Sequence, residues 1–287
     1  MKKLLIRLFR KTGILKKISI SPQIKIYGRK LKIPIINEIG ISNYLHLSEP
    51  WMHHILDQLL DSEKTFIDVG VNLSQTLLKV KAINSSVSYI GFEPNPLCVF
   101  YTNEVGKQNL FEKVQIYPVG LSIESTVLNL NLYNNSDHDS GASIIEGFRD
   151  SNSITKKIHV PVFNFSDIKL SSTLRTGIIK IDVEGAELEV IQGVLKLIEE
   201  DKPYIFIEIL PAYNDKNTVR IDRQNQIASI LTSLNYTIYR IKKTKNEFVG
   251  LSKLDSFDIH SDINLCEYIF CPNEQCQAFE EKLNINI

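Results

Sequence analysis

The sequence predicts an α/β fold, in which a mostly parallel β-sheet carries helices on both faces. Two observations indicate this fold. Short apolar runs alternate with segments of helical periodicity from residue 65 to 121 and again from 177 to 234, which is the rhythm of strand–helix–strand units. Acidic residues also end four of the predicted strands, at the edge where open α/β sheets bind their ligands.

The composition is that of a soluble globular protein large enough to bury a sizeable core. The 287 residues include 33 Lys and Arg and 33 Asp and Glu, and this balance gives no reason to expect a nucleic-acid partner. The four cysteines are too few and too unevenly spaced for a disulfide framework or a zinc site. We expect these cysteines to be cytosolic thiols, and hence a cytoplasmic protein. No stretch is long enough to span a bilayer.

Residues 1–48 are expected to form an accessory segment outside the main domain, which would cover residues 49–287. The segment begins with a basic, amphipathic stretch in which Leu4, Leu5, Leu8 and Phe9 can share one face of a helix. Such a helix can lie on an anionic membrane surface. Alternatively, the stretch can be a helix packed on the domain or a loose tail, and these alternatives stay open. Weak alternation of apolar and polar residues through 18–48 predicts a small β-ribbon. A helix follows at 50–60, with a proline in its first turn.

Seven strands are expected in the main sheet, at 65–70, 87–93, 114–121, 177–183, 203–209, 236–241 and 266–271. Helices are predicted at 73–83, at 96–108, from 185 onward and near 221–234. Residues 122–168 interrupt this order with two alternating runs, 127–133 and 158–165, which we expect to pair as antiparallel strands. Insertions over the carboxyl ends of a sheet often build substrate pockets. His138, in the polar loop of this insertion, is either a general base or a solvated loop residue.

The turn after the first strand has the chemistry of a nucleotide-like cofactor site. Gly70 lets the backbone approach a ligand closely, and Asp68 and Asn72 add a carboxylate and an amide. Glu93 ends the second strand about 20 residues after this loop, the spacing of an acid that binds ribose hydroxyls. A G-x-G-x-x-G motif is absent, because residue 74 is Ser. This disfavours a nicotinamide-dependent oxidoreductase and favours S-adenosylmethionine as the cofactor.

A second group of charged residues is expected at the same edge of the sheet. Lys180, Asp182 and Glu184 surround the end of the fourth strand, and Glu208 ends the fifth. Their joint placement indicates a catalytic site, although helix caps and sheet-edge ion pairs would explain each residue singly. Carboxylates also suit Mg²⁺ or Ca²⁺, so a divalent cation is conceivable, but no metal ligand is assigned.

Four motifs together resemble the FkbM family of S-adenosylmethionine-dependent methyltransferases. They are D-V-G-V-N at 68–72, F-E-P-N-P at 92–96, K-I-D-V-E-G-A-E at 180–187 and I-E-I at 207–209. The third is the most specific, and the resemblance covers roughly residues 50–270. It implies a seven-stranded, Rossmann-like class I methyltransferase fold and O-methylation, in many members on sugars of glycans or on secondary metabolites.

The resemblance also assigns residues to the cofactor. Asp68, Gly70 and Asn72 would line its methionine part, Glu93 would hold the ribose, and the backbone near 121–122 would contact the adenine. The full cofactor set is Asp68, Gly70, Asn72, Glu93, Asn95, Leu121 and Ser122. The catalytic set, which would surround the acceptor as base, orienting groups and steering cation, is Lys180, Asp182, Glu184 and Glu208.

The cofactor loop departs from the family pattern, which is usually D-V-G-A-N-x-G. Here Val71 stands before the Asn and Ser74 two residues after it. A side chain at 74 is expected where the cofactor backs onto the loop, which would weaken cofactor binding. The alternative function is therefore a catalytically inactive, methyltransferase-like scaffold domain in a glycan-assembly complex.

Overall fold

The computed structural model describes residues 2–134, 136–170 and 174–283, and over them it confirms the α/β fold. The strands are β1 Ser19–Ile20, β2 Gln23–Ile26, β3 Arg29–Lys32, β4 Ile35–Ile36, β5 Thr65–Val69, β6 Ser88–Phe92, β7 Val114–Tyr117, β8 Gly120–Leu121, β9 Thr126–Leu132, β10 Lys156–Phe163, β11 Thr176–Ile181, β12 Tyr204–Glu208, β13 Tyr236–Lys243, β14 Phe248–Leu254 and β15 Glu267–Pro272. The helices are α1 Lys2–Lys11, α2 Ile41–Leu45, α3 Met52–Leu59, α4 Gln75–Ile83, α5 Pro96–Asn109, α6 Glu187–Gly193, α7 Leu195–Asp201, α8 Thr218–Ser233 and α9 Cys276–Lys282.

The main sheet has eight strands in the order β14-β13-β15-β12-β11-β5-β6-β7. The five strands from β12 to β7 are parallel, whereas β15, β13 and β14 are joined by antiparallel pairs. The seven-strand expectation was one strand short, because β14 was missed. Its sequence holds an exposed Val249 and an interrupting Gly250, so this edge strand lacks the apolar run of a buried one.

Two boundaries also differ from expectation. The predicted strand at 114–121 is divided, since Val114–Tyr117 joins the main sheet and Gly120–Leu121 pairs with the insertion. The helix expected from 185 is divided at Val194 into α6 and α7.

The core lies on both faces of the main sheet, and successive residues of the central strands alternate between the two sides. Phe66 and Ile178 belong to the cluster that includes α3, α4 and the N-terminal ribbons, whereas Ile67 and Ile179 pack with α6, α7 and α8. All five residues of β5 are buried, as expected for the centre of a parallel sheet covered on both faces. This burial holds the end of β5 rigidly.

The N-terminal ribbon and the insertion both form the predicted β structure. Strands β1 and β4 pair, as do β2 and β3, both antiparallel. In the insertion β9 and β10 are antiparallel, as predicted, and β8 joins β10 in parallel. A bridge between Asn131 and Ser143 draws the polar loop back onto β9, although Asn135 of that loop lies outside the described residues. Within the described ranges, no helix is both long and apolar enough to cross a membrane.

Candidate active site

The site lies where the strand order of the sheet reverses, beside β5. From β5 the chain adds β6 and β7 on one side, and then places β11 and β12 on the other. A cavity of about 380 Å³ opens beyond the carboxyl ends of β5, β6, β11 and β12, and the insertion and the residues before α3 contribute to its wall. Such switch points are the usual ligand sites of open α/β sheets, and the volume is within the range of small-molecule pockets.

Gly70 brings the two loops of the site into direct backbone contact. Its φ is +90°, and a Cβ at this position would lie 1.9 Å from the carbonyl oxygen of Asp182. The amide of Asp182 also donates to the carbonyl of Val69 at 3.0 Å. Only glycine fits both the backbone angle and the close approach.

Glu93 is fastened in the cavity by two backbone amides. Its Oε2 accepts from the amide of Asn72 at 2.7 Å, and its Oε1 accepts from the amide of Asn95 at 2.8 Å. Burial raises the pKa of Glu93 to about 7, although these two amides favour the ionised carboxylate and act in the opposite direction. The carboxylate is thereby oriented before any ligand binds.

The two asparagines beside Glu93 have different roles. Asn95 accepts from the amide of Leu97 at 3.0 Å, which caps α5, and its Nδ2 donates to the carbonyl of Asp137 in the insertion at 2.8 Å. Asn72 has a left-handed backbone (φ +49°), and its buried Oδ1 has no hydrogen-bond partner among the described residues. This oxygen is available to a ligand N–H group.

Asp68 lies within β5, beneath the part of the cofactor loop at 70–74, and does not line the cavity. It is fully buried, and the Tyr89 hydroxyl donates to its Oδ2, whereas Oδ1 has no partner among the described residues. Burial raises the pKa of Asp68 to about 6 against the effect of Lys180 and the Tyr89 hydrogen bond. Ser122 is likewise outside the wall, and its amide donates to the carbonyl of Phe163, whereas Leu121 lines the cavity.

Ser74 does not stand on the cofactor side of its loop. The residue is fully buried with a left-handed backbone (φ +68°), and its hydroxyl donates to Oγ1 of Thr102 on α5 at 2.8 Å. Its side chain does not cap α4. The obstruction expected from the sequence is absent, because the backbone turns the hydroxyl away from the cavity.

The opposite end of the cavity is rich in charge. Lys180 Nζ lies 2.8 Å from Asp182 Oδ2. Burial alone would lower the pKa of Lys180, but the carboxylates of Asp182, Asp68 and Glu49 outweigh it and raise that pKa. Lys180 therefore stays a cation beside the acidic loop, which is the turn at 182–185 that follows β11 and contains Asp182 and Glu184.

Glu184 and Glu208 both hold their protons more tightly than an ordinary carboxyl group. Glu184 has a left-handed backbone (φ +52°) and pairs with Arg149 of the insertion at 2.8 Å. Burial and the neighbouring Asp182 raise its pKa. Burial, Asp182 and Glu267 raise the pKa of Glu208 well above its usual range.

Three further residues of the site were not predicted. Glu267 lines the cavity opposite Glu208 on β15, and it could have been predicted, because an antiparallel strand begins at the edge where its parallel neighbour ends. Glu49 lines the cavity from the segment before α3 and pairs with Lys79 at 2.6 Å. No pattern marks Glu49 or Arg149, because the fold brings them to the site from elsewhere in the sequence.

The remaining candidates are not part of this arrangement. His138 bonds to Oγ of Ser136 at 2.8 Å and does not line the cavity. In the described part of the chain, no group of three or more His, Cys, Asp or Glu residues could hold a metal ion. Two of the acids at the cavity already have cationic partners, because Lys180 pairs with Asp182 and Arg149 pairs with Glu184.

Comparisons with known proteins place this geometry in a family. The model of the methyltransferase FkbM domain matches residues 68–239. Among solved structures, the methyltransferase FkbM of Methylobacillus flagellatus is 16% identical, with a TM-score of 0.46, over 77% of this chain and 50% of that chain. This chain thus spans half the length of that protein. Among curated proteins no relative matches the chain.

Two other solved structures are similar to the chain. A putative caffeoyl-CoA O-methyltransferase of Staphylococcus aureus is 11% identical, with a TM-score of 0.45, over 94% of this chain and 97% of that one. A putative methyltransferase of Streptococcus mutans, solved in complex with SAH, is 12% identical, with a TM-score of 0.41, over 76% and 92%. The family match covers more than half of the chain and includes both the cofactor loop and the acidic loop, so this chain belongs to the FkbM family of methyltransferases, with their Rossmann-like fold.

Proposed function

We propose that the chain transfers the methyl group of S-adenosylmethionine to a hydroxyl of a sugar or another polyhydroxylated acceptor. The observation that carries this proposal is a single cavity with two chemically different ends. One end presents the oriented carboxylate of Glu93, and the other collects the acids near Asp182. A ribose-bearing methyl donor and a hydroxyl acceptor would meet between them.

The cofactor end suits S-adenosylmethionine in three respects. Glu93 offers carboxylate oxygens to the two ribose hydroxyls. The buried oxygen of Asn72, which has no partner among the described residues, can accept from the ammonium of the methionine part. Leu121 and the fully buried Phe92 give the wall an apolar surface for the adenine. Asp68 would act from below the loop through its charge, which raises the pKa of Lys180 and helps to keep that residue a cation.

The acceptor end favours a substrate without negative charge. Seven acidic residues line the cavity, but Lys180 is the one basic residue among the described residues of its wall. Carboxylates repel phosphate, sulfate or uronate groups, whereas they accept hydrogen bonds readily from hydroxyl groups. An uncharged sugar or polyol therefore fits this end.

The four cysteines are free thiols, which suits a reducing cytoplasm.

When bound, the cofactor supplies a methyl group on an electrophilic sulfonium. The acceptor oxygen would form the new bond to that methyl carbon as the carbon–sulfur bond breaks, and the hydroxyl proton would pass to a carboxylate. Glu184 is the proposed base, because its raised pKa makes it a better proton acceptor and Arg149 holds its position. General-base catalysis adds about 10²–10⁴-fold. Much of the remaining acceleration would come from positioning the two bound molecules.

The other charged residues would orient the acceptor. Glu208 would be protonated at neutral pH, because its pKa is strongly raised, so it would donate a hydrogen bond to an acceptor oxygen. Asp182 would accept from a second hydroxyl while its pair with Lys180 holds it in place.

The test is methyl transfer from isotopically labelled S-adenosylmethionine to a panel of acceptors, with products identified by mass spectrometry. The panel contains neutral glycosides, sugar phosphates and uronic acids. Methylation of neutral glycosides, lost in Glu184→Gln while cofactor binding persists, supports the proposal. Glu199→Gln, at an exposed position on α7, is the control and should retain activity. Full activity in Glu184→Gln, or a preference for anionic acceptors, would overturn these assignments.

A further inference from the structure

The charge of this chain is divided sharply between its N-terminal segment and the rest. Eleven of the 33 Lys and Arg residues lie in residues 2–37, and the first acidic residue is Glu38. The remaining chain therefore carries 22 basic and 33 acidic residues. A neutral whole thus consists of a strongly basic segment and an acidic body.

Helix α1, at the start of this segment, presents an apolar stripe to solvent. Leu4, Leu8 and Leu5 are 72%, 53% and 48% exposed, respectively. At 100° per residue these three leucines cover one side of the helix. Two more apolar residues of the segment, Ile14 and Ile18, are 38% and 37% exposed.

Other residues of α1 pack the helix against the rest of the protein and leave the leucine stripe facing solvent. Ile6 is buried in the core, Phe9 packs partly against it, and Lys3 Nζ donates to the carbonyl of Leu45 at 2.9 Å. The stripe is therefore a consequence of how the helix is seated, rather than of a detached tail.

Basic side chains border the stripe, and others are exposed elsewhere in residues 2–37. Arg7, Arg10 and Lys11 are exposed on the side of α1 next to the leucines. Further exposed basic residues of the same segment are Lys16, Lys17, Lys25, Arg29, Lys30 and Lys32. Exposed leucines bordered by cations are the pattern of a helix that lies in the interface of a membrane.

We propose that the segment at 2–37 docks the protein on an anionic lipid bilayer, with α1 in the plane of the interface. The leucines would enter the boundary between headgroups and acyl chains, and the cations would contact the lipid phosphates. The acidic remainder of the chain would be repelled by the same surface, so that the protein would bind in one orientation. This proposal does not depend on the methyl-transfer reaction.

The test uses the full chain and vesicles separated by sedimentation. One set of vesicles is phosphatidylcholine alone, and the other adds phosphatidylglycerol. We expect binding to the anionic vesicles, weak binding to the neutral ones, and release as salt screens the charges. Each basic residue near an anionic surface strengthens binding about fivefold, so Arg7→Gln, Arg10→Gln and Lys11→Gln together should weaken it about a hundredfold.

The leucines are tested separately, because basic residues alone would also bind other polyanions. The combination Leu4→Ser, Leu5→Ser and Leu8→Ser should weaken vesicle binding at least about tenfold, with an unchanged melting temperature, since the side chains removed are exposed. The control combines Val127→Ser and Ile263→Ser, which remove side chains that are 63% and 64% exposed outside the segment, and it should bind as the wild type does.

Three outcomes would overturn the proposal. They are no binding of the wild type to anionic vesicles at low salt, equal binding to neutral vesicles, and unchanged binding by the leucine variant. Tight binding of single-stranded RNA that the leucine variant retains, without vesicle binding, would assign the segment to nucleic acid instead.

Discussion

Gly70→Ala tests whether the cofactor loop and the acidic loop are in the close contact that organises the site. The alanine methyl group meets two separate penalties. A φ of +90° is unfavourable for a residue with a side chain, at about 1–2 kcal/mol. The new Cβ would also lie 1.9 Å from the carbonyl oxygen of Asp182. That oxygen is a backbone atom of the residue directly after the end of β11, so it cannot move aside as a side chain could.

The steric penalty can be estimated from overpacked cores, where an added methyl group costs about 1–3 kcal/mol. Together the two penalties reduce the free energy of unfolding by about 2–5 kcal/mol. For a chain of this size each kcal/mol lowers the melting temperature by roughly 2–4 °C, so we expect a decrease of about 4–20 °C. S-adenosylmethionine binding should weaken as well, because relief of the contact moves Gly70 and the loop around it.

Two other glycines separate the penalties. Gly28 has a φ of +87° but nothing within 4 Å of its added Cβ, so Gly28→Ala should show the backbone penalty alone. Gly106, within α5, has neither a positive φ nor a neighbour within 4 Å. Gly106→Ala should therefore stabilise the protein by up to about 1 kcal/mol. Thermal and denaturant unfolding of the three variants measure these differences, and a Gly70→Ala variant no less stable than Gly28→Ala would refute the reasoning.

Three more predictions concern single carboxyl groups and Ser74. Glu208→Gln should keep kcat/KM within about tenfold of the wild type, because glutamine imitates a protonated carboxyl group, whereas Glu208→Ala should lower kcat/KM about a hundredfold or more. Equal losses in the two variants would contradict a protonated Glu208. Burial raises the pKa of Glu93 to about 7 from the 4.5 of an unperturbed glutamate, so the folded protein binds a proton that the unfolded chain releases. Its free energy of unfolding should therefore fall as pH rises across that interval. The decrease attributable to Glu93 is of order 3 kcal/mol, and denaturant unfolding of Glu93→Gln at about pH 5 and about pH 8 should lack it; identical pH dependence in both proteins would show the assignment to be wrong. Ser74→Gly relieves a backbone penalty of about 1 kcal/mol but removes a buried hydrogen bond of similar value. The free energy of unfolding should therefore change by less than about 1 kcal/mol, and the Kd for S-adenosylmethionine by less than about twofold. A large gain in affinity would mean that Ser74 does obstruct the cofactor.

The parts of the fold that were predictable are those with a local signal. Continuous apolar runs located the central strands, since both faces of such strands are buried, and strict alternation located β9 and β10. Strand β14 lacks either pattern, because it lies at the edge with Gly250 in its middle. Its existence depends on pairing with β13, which is a property of the assembled sheet.

The site was predictable to the same extent. Glu93 and the acidic loop follow strand ends, so their positions could be inferred from where the strands stop. Glu49 reaches the cavity, and Arg149 reaches Glu184, from segments far away in sequence, and only the folded chain brings them there. The direction of the Ser74 side chain depends on a left-handed backbone, for which a serine gives no signal.

The central claim is that one cavity holds the methyl donor at Glu93 and the acceptor at the acidic end. A crystal structure of the chain with S-adenosylhomocysteine tests this claim most directly. We expect the ribose hydroxyls within hydrogen-bonding distance of Glu93, the adenine beside Leu121, and the sulfur directed toward Asp182 and Glu184. A ligand bound outside this cavity, or one whose sulfur faces away from these acids, would contradict it.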